Sequence, residues 1–258
     1  MDARIRARRI AVCQAQARKR RRWVASVAAL VLLAVAATAA ARSPLFEISE
    51  IRIVGVTAEQ VAQLRALVPI AVGENLLKAD LGRVERRLAQ VAWVRTVDAV
   101  RVPPSIVDVR VQVRQPIANV RVADAIWAVD ADGIVLGPGA GTGLVEIDAP
   151  NSVLPGVGTR VSDAAVRNAL AVHAALPPHR RQAVDRYDAP SERGLRLHLR
   201  VLAEDQLMGM WVRFGSVERS EQKARVLEAL VLEVRKAGIP ISEIDVRAPD
   251  NPVLVPGG

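Results

Sequence analysis

Cysteine, histidine and aromatic side chains are all scarce in this chain of 258 residues. Cys13 is the one cysteine, so neither an intramolecular disulfide nor a cysteine-based zinc site can form. A body lying outside the cytoplasm must therefore fold without covalent staples. The three histidines are His173, His179 and His198. None has a histidine, cysteine or acidic neighbour at metal-ligand spacing, which excludes the familiar metal motifs. His198 falls on the polar side of an alternating run and reads as solvent-facing. Four Trp, two Phe and one Tyr are too few for a platform on which single-stranded nucleic acid stacks.

Catalytic motifs are missing too. No G-x-S-x-G occurs. The glycine-rich run from Gly137 to Gly143 lacks G-x-G-x-x-G spacing and the Lys-Ser/Thr of a phosphate loop. A strand, not a helix, is expected after it, so it reads as a loop. Asp130 and Asp132 sit in a turn, where aspartate serves the backbone. Nothing assembles an acid, a base and a nucleophile, and no cofactor or metal is expected.

What the chain does have is basic charge, 36 Lys+Arg against 27 Asp+Glu, a net +9. That total points to nucleic acid only if it is spread over a folded surface. It is not. Residues 1–22 hold eight Arg and one Lys against Asp2, a net +8. The remaining 236 residues carry 27 bases and 26 acids. This distribution argues against a basic nucleic-acid domain, and the question becomes what a short basic tail does before a nearly neutral body. With 51% hydrophobic and 24% charged residues, that body is not disordered and can form one large or two smaller domains.

Trp23 to Ala41 is a run of 19 residues without a charge. As a helix rising ~1.5 Å per residue it spans roughly 28 Å, close to the hydrocarbon thickness of a bilayer. Trp23 stands at the basic end, where its ring suits the headgroup zone. Two readings compete: a retained signal anchor, and a cleaved signal peptide with small-x-small sites at Ala37-Thr38-Ala39 and Ala39-Ala40-Ala41. The long basic region and long apolar run favour the anchor. Nine bases precede the run, while only Arg42 and Arg52 lie just after it. The N-terminus is then cytoplasmic and the body from Arg42 onward extracytoplasmic. The tail of residues 1–22 is expected to lie along anionic lipid headgroups.

The body reads as two units. In the first, Ile51 and Ile53 alternate with Glu50 and Arg52 at strand period. Thr57-Ala58-Glu59-Gln60 is a capping-box pattern opening a short helix through Val61, Leu64 and Leu67. A second helix follows, with Asp80 as N-cap and Leu77, Leu81, Val84 and Leu88 along one face. Its other side carries Arg83, Glu85, Arg86 and Arg87. Val94 to Arg101 reads as a strand, and Pro103-Pro104 as a turn. Val107, Val109, Val111 and Val113 then alternate with polar residues in another strand. The order is β-α-α-β-β.

These stretches resemble a POTRA domain, and more narrowly that of the bacterial division family FtsQ, called DivIB in some bacteria. The resemblance rests on Phe46 to Gly55, Gly73-Glu74-Asn75-Leu76-Leu77, the stretch around Trp93-Val94, Arg101 to Ile106, and Arg114-Gln115-Pro116-Ile117-Ala118. One departure is Val113, where the family often has an acid before the arginine. Trp127 to Leu136, with Asp132-Gly133 as the turn of a hairpin, is similar to the opening of the family's second domain. Met210 to Gly215 and Ile244 to Pro249, with Pro252-Val253, resemble its later strands.

Residue patterning alone gives the rest of the second unit. Ser162 caps a helix over Asp163 to Leu176, ended by Pro177-Pro178. Arg181 to Tyr187 and Leu195 to Leu199 read as strands. Ser216 to Ala237 reads as a long helix burying Val226, Leu227, Leu230, Val231 and Val234. Glu243 to Arg247 is a strand. Val253-Leu254-Val255, between Pro252 and Pro256, is an edge strand with backbone groups free for a partner.

The expected fold class is α+β. It comprises a basic cytoplasmic tail (1–22), a single transmembrane helix (23–41), a β-α-α-β-β POTRA domain (46–115) and a β-rich domain with flanking helices (116–258). The resemblance implies a non-enzymatic scaffold of the division machinery, at the septum, that binds small bitopic partners of the FtsB/DivIC and FtsL kinds and helps control septal peptidoglycan synthesis. The mechanism it implies is addition of a partner strand at Ile244, Asp245, Val246 and Arg247 and at Val253, Leu254 and Val255. Arg193 matches a basic partner-binding position of that family. Alternatives from other classes are a POTRA-bearing secretion or assembly factor and an exported cell-envelope protein of unrelated role. The first would need repeated POTRA units or a barrel, and an exported enzyme would need the absent catalytic constellation.

Overall fold

The computed structural model describes residues 23–35, 43–139, 143–203, 206–237 and 241–257. The basic tail with Cys13 and part of the expected membrane segment lie outside these residues. Residues 23–35 form an exposed helix, α1. No helix among the described residues is long and apolar enough to cross a membrane.

The chain divides into two compact units. One takes residues up to Arg87 together with Asp98–Arg110, and the other takes Leu88–Val97 and Val111–Gly258. The N-terminal elements are β1 (Glu50–Val54), α2 (Ala58–Arg65), α3 (Leu81–Leu88), β2 (Val94–Val102) and β3 (Ile106–Val113). The observed order is the expected β-α-α-β-β. The strands form a sheet in the order β1-β3-β2, with β1 parallel to β3 and Ile53 opposite Val109. Local sequence sets the helix starts. Thr57 and Gln60 make the reciprocal capping box at 3.0 and 3.4 Å, an arrangement that satisfies two otherwise orphan backbone donors. The Asp80 side chain accepts the Arg83 N–H at 2.9 Å. Leu81, Val84 and Leu88 are buried as the spacing predicts, but Leu77 is exposed and Leu76 is buried instead. Leu77 precedes the helix, so helical spacing does not apply to it. Glu85 is not on the solvated side: it is half-buried, and its carboxylate accepts the Ala99 N–H at 2.9 Å.

The second unit is built on one mixed sheet of nine strands among the described residues, ordered β12-β11-β10-β9-β8-β7-β4-β5-β6. In chain order these are β4 (Pro116–Val122), β5 (Ala125–Asp130), β6 (Val135–Pro138), β7 (Val145–Asp148), β8 (Val184–Asp188), β9 (Arg196–Ala203), β10 (Gln206–Arg213), β11 (Ile241–Asp245) and β12 (Val253–Pro256). The helices are α4 (Ala164–Ala175), α5 (Pro178–Ala183) and α6 (Ser220–Ala237). Val120, Ile147, Tyr187, Leu197, Leu199, Val212 and Ile244 from the strands share one core with Val166, Ala169 and Val172 of α4 and Leu227 and Val231 of α6. That apolar burial is the main favourable term for this unit. As expected, a strand (β7) and not a helix follows the glycine-rich stretch.

Three of the boundaries that differ from the patterning have a clear local reason. The α4 cap is Asp163, whose carboxylate accepts the N–H groups of Ala165 and Val166 at 3.0 and 3.1 Å; it is not Ser162. Arg181 lies in a helix, not a strand. Pro178 starts α5 at its first turn, where proline costs nothing. Arg181 then folds back onto the carbonyls of His173, Ala174 and Leu176 at the end of α4. Finally, α6 starts at Ser220 and not Ser216, because Arg219 stands in the left-handed region at φ 55°.

Candidate partner-binding surface

The strand β12 forms one border of the large sheet. It pairs antiparallel with β11, setting Glu243 opposite Val255, Ile244 opposite Leu254 and Asp245 opposite Val253. Ser242 Oγ reaches the carbonyls of Val255 and Pro256 at 3.2 and 3.1 Å and holds that register. Val253, Leu254 and Val255 remain 52%, 38% and 41% exposed. An apolar row on a border strand is unusual, because natural edges are generally protected by charge, cover or distortion.

The strand β11 ends at Asp245 and not at Arg247, and the four expected positions from Ile244 to Arg247 separate into two kinds. Ile244 and Val246 are fully buried, with side chains in the core. They hold β12 in place and present nothing to solvent. Asp245 and Arg247 form a local ion pair, with Arg247 Nη2 2.6 Å from Asp245 Oδ2. The Asp245 carboxylate also accepts the Arg247 N–H at 3.0 Å, which turns the chain out of the strand. Burial alone would raise the Asp245 carboxyl, but the hydrogen bonds from Arg247 and the charge of Arg213 hold it below its ordinary value.

Arg247 lines two adjoining clefts. One, of about 360 Å³, runs along the border with Asp245, Ala248, Asn251 and Val253. The other, of about 180 Å³, is walled by Arg193, Gly194, Leu195, Arg196, Arg213 and Arg247. Three of its four arginines are paired with acids. Arg196 meets Asp188, Arg213 makes a two-pronged pair with Glu243, and Arg247 meets Asp245. Arg196 also lies over the Trp211 ring, 5.1 Å from its centroid. Arg193 is exposed and has no acidic partner among the described residues. The cleft therefore keeps one uncompensated guanidinium, a fork suited to a carboxylate.

The structure thus brings Arg193 beside Arg247, and Arg247 beside Val253. Patterning missed Arg196 and Arg213. Their places on the polar side of two strands were visible as alternation. That β9 and β10 set Arg196 directly opposite Arg213 is a matter of register, which no local signal gives.

The other polar groups are structural. Asp130 is 4% exposed in its side chain and accepts the N–H groups of Asp132 and Ile134 at 3.0 and 2.8 Å. Arg114 pairs with it at 2.6 Å and with Asp132 at 3.2 Å, in keeping with the turn role expected of both acids. Gly133, directly after Asp132, has φ 76°, open to glycine without steric cost. His173 is buried, 3.1 Å from the Tyr187 hydroxyl, and burial with the nearby Arg181 charge pushes its pKa down to about 4. His198 is not simply solvent-facing. Its Nδ1 lies 2.8 Å from Asp185 and its ring packs on Trp211. Among the described residues no group of three potential ligands could hold a metal.

The family model "POTRA domain, FtsQ-type" matches residues 46–114. A cell division protein FtsQ of Streptomyces griseus is 32% identical over 203 residues, covering 74% of this chain and 88% of that protein. The chain belongs to the FtsQ family. A second FtsQ, from Streptomyces bingchenggensis, is 31% identical over 219 residues, covering 80% of this chain and 75% of its own length. The FtsQ of Mycolicibacterium smegmatis is 29% identical over 213 residues, and the match spans only 58% of that longer relative. The matches to these relatives thus extend well beyond the POTRA stretch.

Proposed function

We propose that this protein is a bitopic, non-enzymatic scaffold of the bacterial division machinery, whose sheet border captures small bitopic partners of the FtsB/DivIC and FtsL kinds and thereby helps control septal peptidoglycan synthesis. The observation that carries this reading is the exposed apolar border strand β12 lying next to a cleft with an unpaired arginine. A partner strand adding to β12 satisfies its free backbone groups and covers Val253, Leu254 and Val255. An acidic side chain of that strand fits against Arg193 and Arg247. The exposed apolar helix at residues 23–35 supports a membrane anchor over 23–41. The nine bases before it support a cytoplasmic N-terminus in contact with anionic lipid. On this reading the domains are the tail at 1–22, the anchor, a POTRA domain at 46–115 and a β domain at 116–258.

The test is removal of β12 alone. Val246 is core, and Asp250 pairs with Arg219 at 2.6 Å, so truncation belongs after Asn251. The full chain, tagged at its N-terminus, is purified from detergent-solubilised membranes with and without residues 252–258. The truncated chain is expected to stay membrane-bound and folded while partner recovery falls about a hundredfold, equivalent to ~2.7 kcal/mol. Undiminished recovery would overturn the border-strand reading.

A further inference from the structure

Two buried polar side chains lie beneath the arginine cleft, and neither belongs to its lining. Asn168, on α4, is 5% exposed and makes three hydrogen bonds through its amide. Its nitrogen donates to the carbonyls of Glu192 and Gly215, both at 2.9 Å, and its oxygen accepts the Val217 N–H at 2.7 Å. Glu192 precedes Arg193 in the loop between β8 and β9. Gly215 and Val217 belong to the turn between β10 and α6. Lys223, on α6, is 4% exposed, with no acid in hydrogen-bonding reach. Its ammonium donates instead to the carbonyls of Phe214 and Ser216 at 3.1 and 2.8 Å and lies 5.3 Å from the Phe214 ring centroid.

An unpaired buried cation is costly, and an aliphatic residue would suit the core-facing side of α6 better. Lys223 therefore serves the turn. Gly215 shows how closely that turn approaches the cleft. Its φ is 70°, and a side-chain carbon there would stand 3.1 Å from Arg247 Cγ and 3.4 Å from the Arg193 carbonyl. The other anchors of the loop carrying Arg193 are the Leu195 carbonyl at its end, which accepts the Phe214 and Gly215 N–H groups at 3.0 Å, the bond from Gly194 back to Ser191, and Asn151, which reaches the Pro190 carbonyl at 3.1 Å.

We propose that Asn168 and Lys223 are positioning residues of the arginine cleft, binding the Arg193 loop and the Gly215 turn into one rigid unit so that the guanidinium groups are held ready for an acidic segment of the partner. The inference rests on the partner-capture reading for its purpose and on hydrogen bonds alone for its geometry.

The test separates the two. In full chain carrying Cys13→Ser, spin labels are placed at Glu192→Cys, in the loop, and at Glu233→Cys, 13 residues along α6 from Ser220. Pulsed electron–electron resonance then gives the distance distribution. A narrow distribution is expected for this background. Asn168→Ala, and Lys223→Met, which keeps the stem and drops the donors, are each expected to broaden it clearly. Val129→Ala, a core truncation on β5, serves as a control for general destabilisation and leaves it narrow. Partner recovery is expected to fall about tenfold in Asn168→Ala, as for the loss of one charge-assisted contact, but to hold in Val129→Ala. An unchanged width in both variants overturns the inference, and where Arg193→Glu lowers recovery, so does recovery in Asn168→Ala equal to that of Val129→Ala. If Arg193→Glu also leaves recovery intact, the cleft is not the partner site, and the width alone decides whether the two residues position it.

Discussion

The two borders of the nine-stranded sheet are built on opposite principles. At the β6 border the chain covers the start of its own edge, at Val135. The Val135 N–H donates to the Thr159 carbonyl and the Val135 carbonyl accepts the Gly158 N–H, Ile134 bridges Arg160, and the Val161 N–H reaches the Gly133 carbonyl at 2.8 Å. The turn beneath is tied by Asp130 and Arg114. At the β12 border nothing comparable covers the strand among the described residues, and three aliphatic side chains face solvent. A sealed border contributes stability, whereas an open one contributes a binding surface. Their polar groups differ accordingly: Asp130 is buried and saturated, while Arg193 is exposed and unpaired.

The largest effect should come from breaking the sealed border. Arg114→Ala leaves the Asp130 carboxylate buried without its cation, and stability is expected to fall by about 3–5 kcal/mol. Chemical denaturation of the full chain measures this. Arg247→Ala breaks a half-exposed pair that Arg213 still compensates in charge, and is expected to lower stability by no more than about 1 kcal/mol.

Next in size is a pH effect from the core that both borders share. The His173 pKa is depressed in the folded state to about 4, from 6.5. Between those values the unfolded chain binds the proton and the folded chain does not, so stability falls as pH drops through this window. The ceiling is about 3 kcal/mol, reached near pH 4. Denaturation midpoints at pH 7.5 and 4.5 should show the loss. His173→Phe should remove most of the slope between pH 6.5 and 4 that wild type shows.

The smallest effect separates the borders by function. Arg193→Glu reverses the one uncompensated charge of the cleft and is expected to weaken partner recovery about tenfold, ~1.4 kcal/mol, without shifting the unfolding midpoint. A loss of stability instead would mean that Arg193 is structural, like Arg114, and the contrast between the borders would fail.

Much of this contrast was legible in the sequence, but unevenly. Pro252 and Pro256 mark β12 as a border strand, and Asp132-Gly133 marks the turn at the other end. The capping box at Thr57 and the valine alternation from Val107 give local elements directly, because each depends on neighbours in sequence. Tertiary contacts override patterning elsewhere. Arg181 reads as strand but caps α4. Ser216 reads as helix start but belongs to a turn held by Asn168 and Lys223. The arginine cleft was half visible: Arg193 and Arg247 carried a family resemblance, whereas Arg196 and Arg213 join them only through β9–β10 register. Closure of the β6 border by residues 156–161 left no recognisable pattern, since backbone pairing places no demand on side-chain identity.

Hydrogen exchange of the full chain, alone and in complex with its co-purified partner, tests the central claim most directly. Capture by strand addition predicts new protection in the complex at those amides of Val253 to Val255 that point away from β11, with the β6 border and residues 158–161 unchanged. Partner-induced protection at the β6 border, or none at β12 in an intact complex, would contradict it.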